Sequence, residues 1–273
     1  MNETIFNTGE VRLTGAASKA ARERMRSQWG EPLLMAGWHR VLMIHFEVDA
    51  RALQRDVPFE LDLFEGRAFV SLVAFTMEGM RPLLGGRVAV WMFRPIATHD
   101  FLNVRTYVRE GSERGIHFLA EWLSNRLAVK LGPAAFGLPY RYGRIDYRHD
   151  PNGVIQGQVA DGGCGDKLVY QGRCRDAAAF QPGEVGSRDE WLMERYTAFN
   201  SAGWRKRYFR IWHPPWPQCA VEVKLTEATL LTGRWPWFAD AQLVGANYSP
   251  GFDGVWMGRP HVVRSSGKPA QCL

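Results

Sequence analysis

From Trp38 onward the chain is divided into short apolar runs with a period of two, and this pattern constrains the fold more than any other feature. "RVLMIHFEV" places Leu42, Ile44, Phe46 and Val48 on one side and Val41, Met43, His45 and Glu47 on the other. "FLNVRTYVRE" sorts Leu102, Val104, Thr106 and Val108 against Phe101, Asn103, Arg105 and Tyr107. Successive side chains leave a pleated backbone on opposite faces, so a two-residue repeat marks a strand. "GRAFVSLVAFTME" is apolar on both sides, as a strand covered on both faces would be. "GIHFLAEWLS", "YRYGRIDYRH", "VIQGQVA", "KLVYQGRC", "RKRYFRIWH" and "CAVEVKLTEATLL" continue the series, and "ANYSPGFDGVWM" reads as a turn and a last strand. Glycine, proline or charge clusters bound each run, which predicts an antiparallel sheet protein.

Helices interrupt this series at few places. Ser124 or Asn125 can cap a helix that runs to Phe136, with Gly137 as its stop and Pro133 imposing a kink or break. Ser187 and Glu190 form a capping box before "RDEWLMERYTAF", which has helical spacing. Residues 1–31 form an arm whose "TGAASKAARERMRSQWG" predicts a basic surface helix stopped by Gly30. No repeat or linker divides the rest. The sequence predicts one β-rich domain over 32–263, large enough to curl into a barrel or cone around a cavity, and a tail over 264–273.

With 273 residues, 46% of them apolar, the chain can bury a large core. Its net charge of +6 rests on 34 Lys and Arg, only six of them Lys. Arginine suits bidentate capture of a carboxylate or phosphate, although an excess of this size also fits ordinary solvated surface. No basic stretch interleaved with aromatics resembles a nucleic-acid groove. The four cysteines form no CxxC pair, the N-terminus is polar, and no apolar run is long enough to span a bilayer. A cytoplasmic protein with reduced thiols is expected, with no membrane or nucleic-acid partner, and a homo-oligomer stays open.

The seven histidines show no HxH, HxxH or HExxH spacing, so neither a metal nor another cofactor is expected. His39 and His45 fall on the same side of their strand but too far apart to share an ion. "DGGCGD" lacks the Gly-Lys-Ser/Thr ending of a phosphate loop, and there is no GxSxG elbow. Cys164 has no base near it in sequence, and Asp62 with Glu65 reads as an exposed turn. The face carrying Asn103 and Arg105 stands out. If it looks inward, the arginine needs an anion from protein or ligand. Phe101 and Tyr107 on that face suit a pocket wall, while the reverse reading leaves the face in water.

"WHRVLMIHFEVDARALQRDVPFELDLFEGRAFVSLVAFTMEGMRP", "FLNVRTYV", "NRLAVKLGPAAFGLPYRYGRI", "HPPWP" and "YSPGFDGVW", in this order and spacing, resemble the YqjF-like proteins of unknown function over roughly residues 38 to 258. That family is grouped with the acetoacetate-decarboxylase-like superfamily. The resemblance implies a mainly β, single-domain, antiparallel cone-like β-barrel with an internal cavity and two or three flanking helices. The decarboxylases carry glycine, aromatic, proline, lysine, lysine after the equivalent helix, and the first lysine forms an imine with the substrate ketone. The matching positions here are Gly137, Leu138, Pro139, Tyr140 and Arg141. A phenol cannot form an imine and a guanidinium is not nucleophilic, so that mechanism is unavailable at these positions. Lys130 and Lys224 read as surface residues.

These readings converge on a cavity for a small organic carboxylate or oxo compound, with lyase-like or proton-transfer chemistry and no Schiff-base lysine. Arg105 would neutralise the anion. Asn103 and Tyr140 would offer hydrogen bonds, Tyr140 as a proton donor, and Arg141 would be a fixed cation. His45 is the acid–base candidate, since an imidazole titrates near neutrality. Two alternatives remain at this level: a non-catalytic binding or sensing protein on the same scaffold, and an interaction protein using the basic arm.

Overall fold

The computed structural model describes residues 15–176, 180–202 and 205–263; the expected tail over 264–273 and residues 1–14 of the expected arm lie outside them. Thirteen strands alternate with short helices: α1 (Ala16–Arg26), β1 (Leu34–Val48), α2 (Ala50–Asp56), β2 (Glu60–Leu61), β3 (Ala68–Pro82), α3 (Gly86–Phe93), β4 (His99–Glu110), β5 (Glu113–Leu123), α4 (Arg126–Phe136) and β6 (Tyr140–His149). Then follow β7 (Ile155–Asp161), β8 (Lys167–Cys174), α5 (Arg188–Met193), β9 (Thr197–Ala202), β10 (Arg205–Trp212), β11 (Cys219–Glu227), α6 (Thr229–Thr232), β12 (Gln242–Met257) and β13 (His261–Val262).

All thirteen strands of the described residues join one hydrogen-bonded sheet that folds back on itself. The long antiparallel ladders β12–β1–β3–β4–β5 form a common wall. From β5 the sheet returns to β12 by two routes, one through β6, β7, β8 and β11 and the other through β9 and β10. The returns depend on ladders of two or three residue pairs, and β5 pairs parallel with both β6 and β9. The expectation of a wholly antiparallel sheet is therefore corrected to a mixed one. β5 follows β4 through a tight turn and antiparallel pairing, and strands that return to it after a helix or a long crossover arrive in the same sense.

The common wall is buried on both faces, which explains its two apolar stripes. Leu42, Ile44, Phe46, Val70, Leu72, Leu102, Val104 and Trp122 pack outward with Val159, Leu168 and Tyr170 of the β6–β8 side. Met43, Val73, Phe75 and Phe101 face inward with Met193 and Trp216. β3 is buried at every residue from Ala68 to Met77.

The caps follow the sequence. Asn125 Oδ1 accepts from the backbone N–H of Leu127 and Ala128 at the start of α4, and Gly137, at φ 70°, ends it. Ser187 caps α5, accepting from Glu190 N–H at 3.2 Å. That helix stops at Met193 rather than running on to Phe199, because Glu194 turns to accept from the Trp216 backbone N–H and from Tyr196 while Thr197 starts β9. The basic helix α1 is docked: Met25 is fully buried, Ser18 Oγ donates to His213 O at 2.6 Å, and Arg22 stacks over Trp212 and Trp256.

Candidate functional site

Inside the wall, side chains line up in rows because the strands are in register. One row runs Met43, Val73, Asn103, Glu121 and Tyr140 across β1, β3, β4, β5 and β6. The next row down runs His45, Ser71, Arg105 and Phe118. A bulge at Leu119, between the pairs Val104–Ala120 and Arg105–Phe118, makes both rows possible. It switches the parity of β5, so that Glu121 and Phe118 face the same side, which strict alternation forbids.

Above the first row is a cavity of about 500 Å³. Its walls are apolar, including Trp38, Phe75, Met77, Phe101, Phe136 and Phe209, and its polar side chains are His99, Asn103, Glu121 and Tyr140. Glu121 is 3% exposed. Burial raises its pKa to about 8, offset in part by the Asn103 amide beside it, so the carboxyl is a neutral proton donor at pH 7. Glu121 Oε2 and Asn103 Oδ1 are both buried without a partner. Burial and the adjacent Glu121 hold the Tyr140 phenol protonated well above its usual range. Burial lowers His99 to about 4, which keeps it neutral. Tyr140 is wedged between Phe101, edge-on at 6.0 Å, and Gly132 of α4.

The second row forms a separate polar hub. His45 Nδ1 lies 2.7 Å from Ser71 Oγ, which lies 2.6 Å from Tyr107 OH, and His45 Nε2 lies 3.1 Å from Asn247 Oδ1. Asn247 Nδ2 donates to Asp189 and Gln218, so its Oδ1 must accept. The proton therefore sits on His45 Nε2, and Nδ1 accepts from Ser71, which accepts from Tyr107. Burial, and then the charge of Arg105, lower the His45 pKa to about 3. Arg105 is 6% exposed. Its Nη2 donates to Leu192 O at 3.2 Å, its Nε has no partner, and among the described residues no carboxylate forms an ion pair with it. Arg195, also buried, contrasts with it in pairing to Asp62 at 2.8 Å.

Of the residues that stand out in sequence, Asn103 and Tyr140 meet at the cavity, His45 and Arg105 meet one row below it, and Arg141 lies elsewhere. Arg141 follows Tyr140 on β6 and so projects to the opposite side, near Arg234, Asp161 and Cys164. Asp62 is not in an exposed turn but buried between Arg114 and Arg195. Lys130 and Lys224 are not buried, and among the described residues no lysine lines the cavity. Among the described residues no group of His, Cys, Asp and Glu is placed to hold a metal. Glu121 and His99 do not stand out in the sequence. A carboxylate inside the apolar run "GIHFLAEWLS" is the available signal for Glu121; the bulge that turns it inward leaves no trace there.

A mixed sheet wrapped around an apolar interior places the chain among proteins of the acetoacetate-decarboxylase-like fold. An acetoacetate decarboxylase-like enzyme from Sphingomonas wittichii RW1 superposes with a TM-score of 0.55 at 15% identity, covering 86% of this chain and 94% of that one. The enduracididine biosynthesis enzyme MppR, solved in complex with pyruvate, superposes with a TM-score of 0.59 at 11% identity, covering 88% and 94%. At these identities the likeness shows the fold. The chain belongs to DUF2071, a family of uncharacterised conserved proteins, whose profile matches residues 35–252. The uncharacterised protein YqjF of Bacillus subtilis (strain 168) is 30% identical over 199 residues, 71% of this chain and 78% of that protein. Among the described residues no helix is long and apolar enough to cross a membrane.

Proposed function

We propose that the domain over residues 32–263 binds a largely apolar organic molecule carrying one oxo or carboxylic head group, with the tail in the cavity and the head on the Asn103–Glu121–Tyr140 row. The observation that carries this reading is the in-register trio at the floor of an otherwise apolar cavity of about 500 Å³, with Asn103 Oδ1 and Glu121 Oε2 buried and unpaired. Native interiors rarely leave such atoms without partners; the hydroxyl of a carboxylic head group would donate to Asn103 Oδ1, and the Glu121 carboxyl would donate to an oxo or carboxylic oxygen. That a protein of this fold was solved with pyruvate, a small oxo acid, agrees with the ligand class.

The chemistry follows from protonation states. Neutral Glu121 and Tyr140 can both donate to a carbonyl oxygen and polarise it; in its ionised form Glu121 can instead take the proton from the carbon beside the carbonyl while the Tyr140 hydroxyl holds the enolate oxygen, and then return that proton to carbon or oxygen. Its pKa of about 8 suits both giving and taking a proton near neutral pH. With no lysine on the lining among the described residues, this is proton transfer without an imine. Arg105 lies one register step below Asn103, about 7 Å along the strand. Its unpaired charge favours an acid group that reaches past the floor. His45, held neutral between Ser71 and Asn247, keeps that hub in place and positions Arg105's surroundings.

Titration with straight-chain methyl ketones and oxo acids of increasing length, followed by calorimetry, tests the reading. Affinity is expected to rise with chain length until the cavity is full, and to fall about tenfold in Glu121→Leu, as expected when a buried polar head group is left without its donor. Binding that ignores both chain length and Glu121 would refute it. Proton exchange at the carbon beside the carbonyl, followed by NMR in deuterated water, separates an enzyme from a non-catalytic binder.

A further inference from the structure

Eight of the fourteen large apolar side chains exposed on the described surface fall in two neighbouring segments, residues 83–92 and α4. α3 has no buried residue at all. Gly85 and Gly86, at φ 100° and 58°, make the turn from β3 into it, and Leu84, Trp91 and Met92 are 77%, 72% and 65% exposed. A helix with apolar groups on every side is not stable facing water and requires a cover.

The charges around it indicate what the cover is. Residues 79–98 contain Arg81, Arg87 and Arg94 and no acid, and α4 adds Arg126 and Lys130, again with no acid. Arg81, Arg87 and Arg94 line one shallow depression with Val90 and Trp91, and among the described residues none of the three is in an ion pair. A second copy docked face to face would bring like charges together. An anionic surface would neutralise them, while their aliphatic stems and the tryptophan suit the boundary between headgroups and acyl chains. Exposed Met92 and Leu131 also line the cavity, so its mouth opens within this same face.

We propose that α3 and the outer side of α4 dock on an anionic lipid surface, and that the cavity takes up its ligand through this face. The contact is peripheral and interfacial. The second half rests on the cavity reading above; the first does not.

Co-sedimentation with phosphatidylcholine vesicles, with and without phosphatidylglycerol, tests the docking in the full chain without added ligand. Wild type is expected to sediment with the anionic vesicles only and to release in high salt. Arg87→Glu with Arg94→Glu is expected to lose roughly fivefold in affinity or more per arginine. Trp91→Glu also detaches the protein, while Lys224→Glu does not. Glu121→Gln, which leaves this face intact, retains vesicle binding, so failure of the cavity reading and failure of the docking are distinguishable. Equal sedimentation with both vesicle types, or insensitivity to the arginine pair, overturns the proposal. So does light scattering that shows a dimer converted to monomer by Trp91→Glu, since the face then joins two copies.

Discussion

Gly132 of α4 lies directly against the ring of Tyr140: a Cβ built on it would come within 2.1 Å of Cε2. The glycine is what allows the helix to hold the phenol against the cavity floor. In an unconstrained helix, Gly→Ala stabilises by up to about 1 kcal/mol. Here the clash dominates, and overpacking is expected to cost about 1–3 kcal/mol. Gly132→Ala is therefore expected to lower Tm and weaken ligand binding together. In a Tyr140→Ala background the same change is expected to become stabilising. Thermal melts of the four proteins decide, and a Gly132→Ala variant more stable than wild type would mean the ring moves freely.

Glu121 makes stability fall as the solution becomes more alkaline. Its pKa is raised by burial to about 8 in the folded state. Between the unfolded carboxyl's value near ~4.5 and 8, the folded state holds a proton that the unfolded state has released. The contribution is fully present below that window and is lost through it, at up to about 1.4 kcal/mol per pH unit. Glu194, raised by burial to about 7, acts in the same direction over a narrower range. Urea midpoints measured from pH 6.5 to 8.5 are expected to fall in wild type and to fall less in Glu121→Gln. A variant that tracks wild type through this range would show that the carboxyl is ionised.

The histidines act in the opposite direction. Burial lowers His45 to about 3 and His99, His149 and His213 to about 4, and lowers His117 as well. In the unfolded chain each takes up a proton below about pH 6.5, while the folded chain keeps them neutral. Stability therefore falls as pH drops from 6.5 toward 4, and five such groups outweigh the two raised glutamates. A maximum near pH 6.5 to 7 is expected from these opposing slopes. A stability profile that is flat between pH 4.5 and 6.5 would contradict the buried neutral imidazoles.

Borohydride reduction in the presence of small ketones is expected to leave the protein mass unchanged. Tyr140 stands where the resemblance sets the imine-forming lysine, and among the described residues no lysine lines the cavity. Intact-mass spectrometry would detect a single adduct, and an adduct that maps to any lysine would restore the amine mechanism.

The period-two pattern places both stripes of β1 and β4 correctly, because alternation holds wherever the ladder is regular. It also puts Asn103 on the face that lines the cavity, whereas Tyr140, which meets it through strands in register, stands out only through the resemblance at the end of α4. Glu121 escapes it because the extra residue Leu119 shifts the parity of β5. His39 shows the same limit. Alternation points it the way His45 points, but a register slip between His39 and Leu42, where Arg40 adopts φ 56°, breaks the pattern, and His39 reaches exposed Asp253 instead. The sequence pattern assigns no element to residues 83–98, since an apolar run without polar spacing carries no helical period, yet α3 forms there and shapes the cavity mouth. The parallel pairings of β5 are long-range, and no local pattern encodes them.

Arg105 separates a binding role from a structural one. It is a buried cation with an unpaired Nε and no ion pair among the described residues, held by the Leu192 carbonyl and Met43 Sδ and interacting at longer range with Glu194, whose pKa, raised by burial, its charge lowers in part. Burying an unpaired charge opposes folding, so a group retained only for stability should be improved on by an apolar side chain of similar volume. Arg105→Met is therefore expected to leave the fold as stable or more so. It also removes a charge that lowers the pKa of His45 and His213, so both imidazoles should titrate at higher pH in the variant. If the guanidinium serves an acidic ligand, Arg105→Met is expected to weaken oxo acids by tenfold or more, the loss expected for a charge-assisted contact. Matched methyl ketones should be nearly unaffected, and Lys130→Ala, away from the cavity, should change neither. Equal losses for acids and ketones would make Arg105 a positioning residue for the row above it, and loss of the fold itself would make it structural.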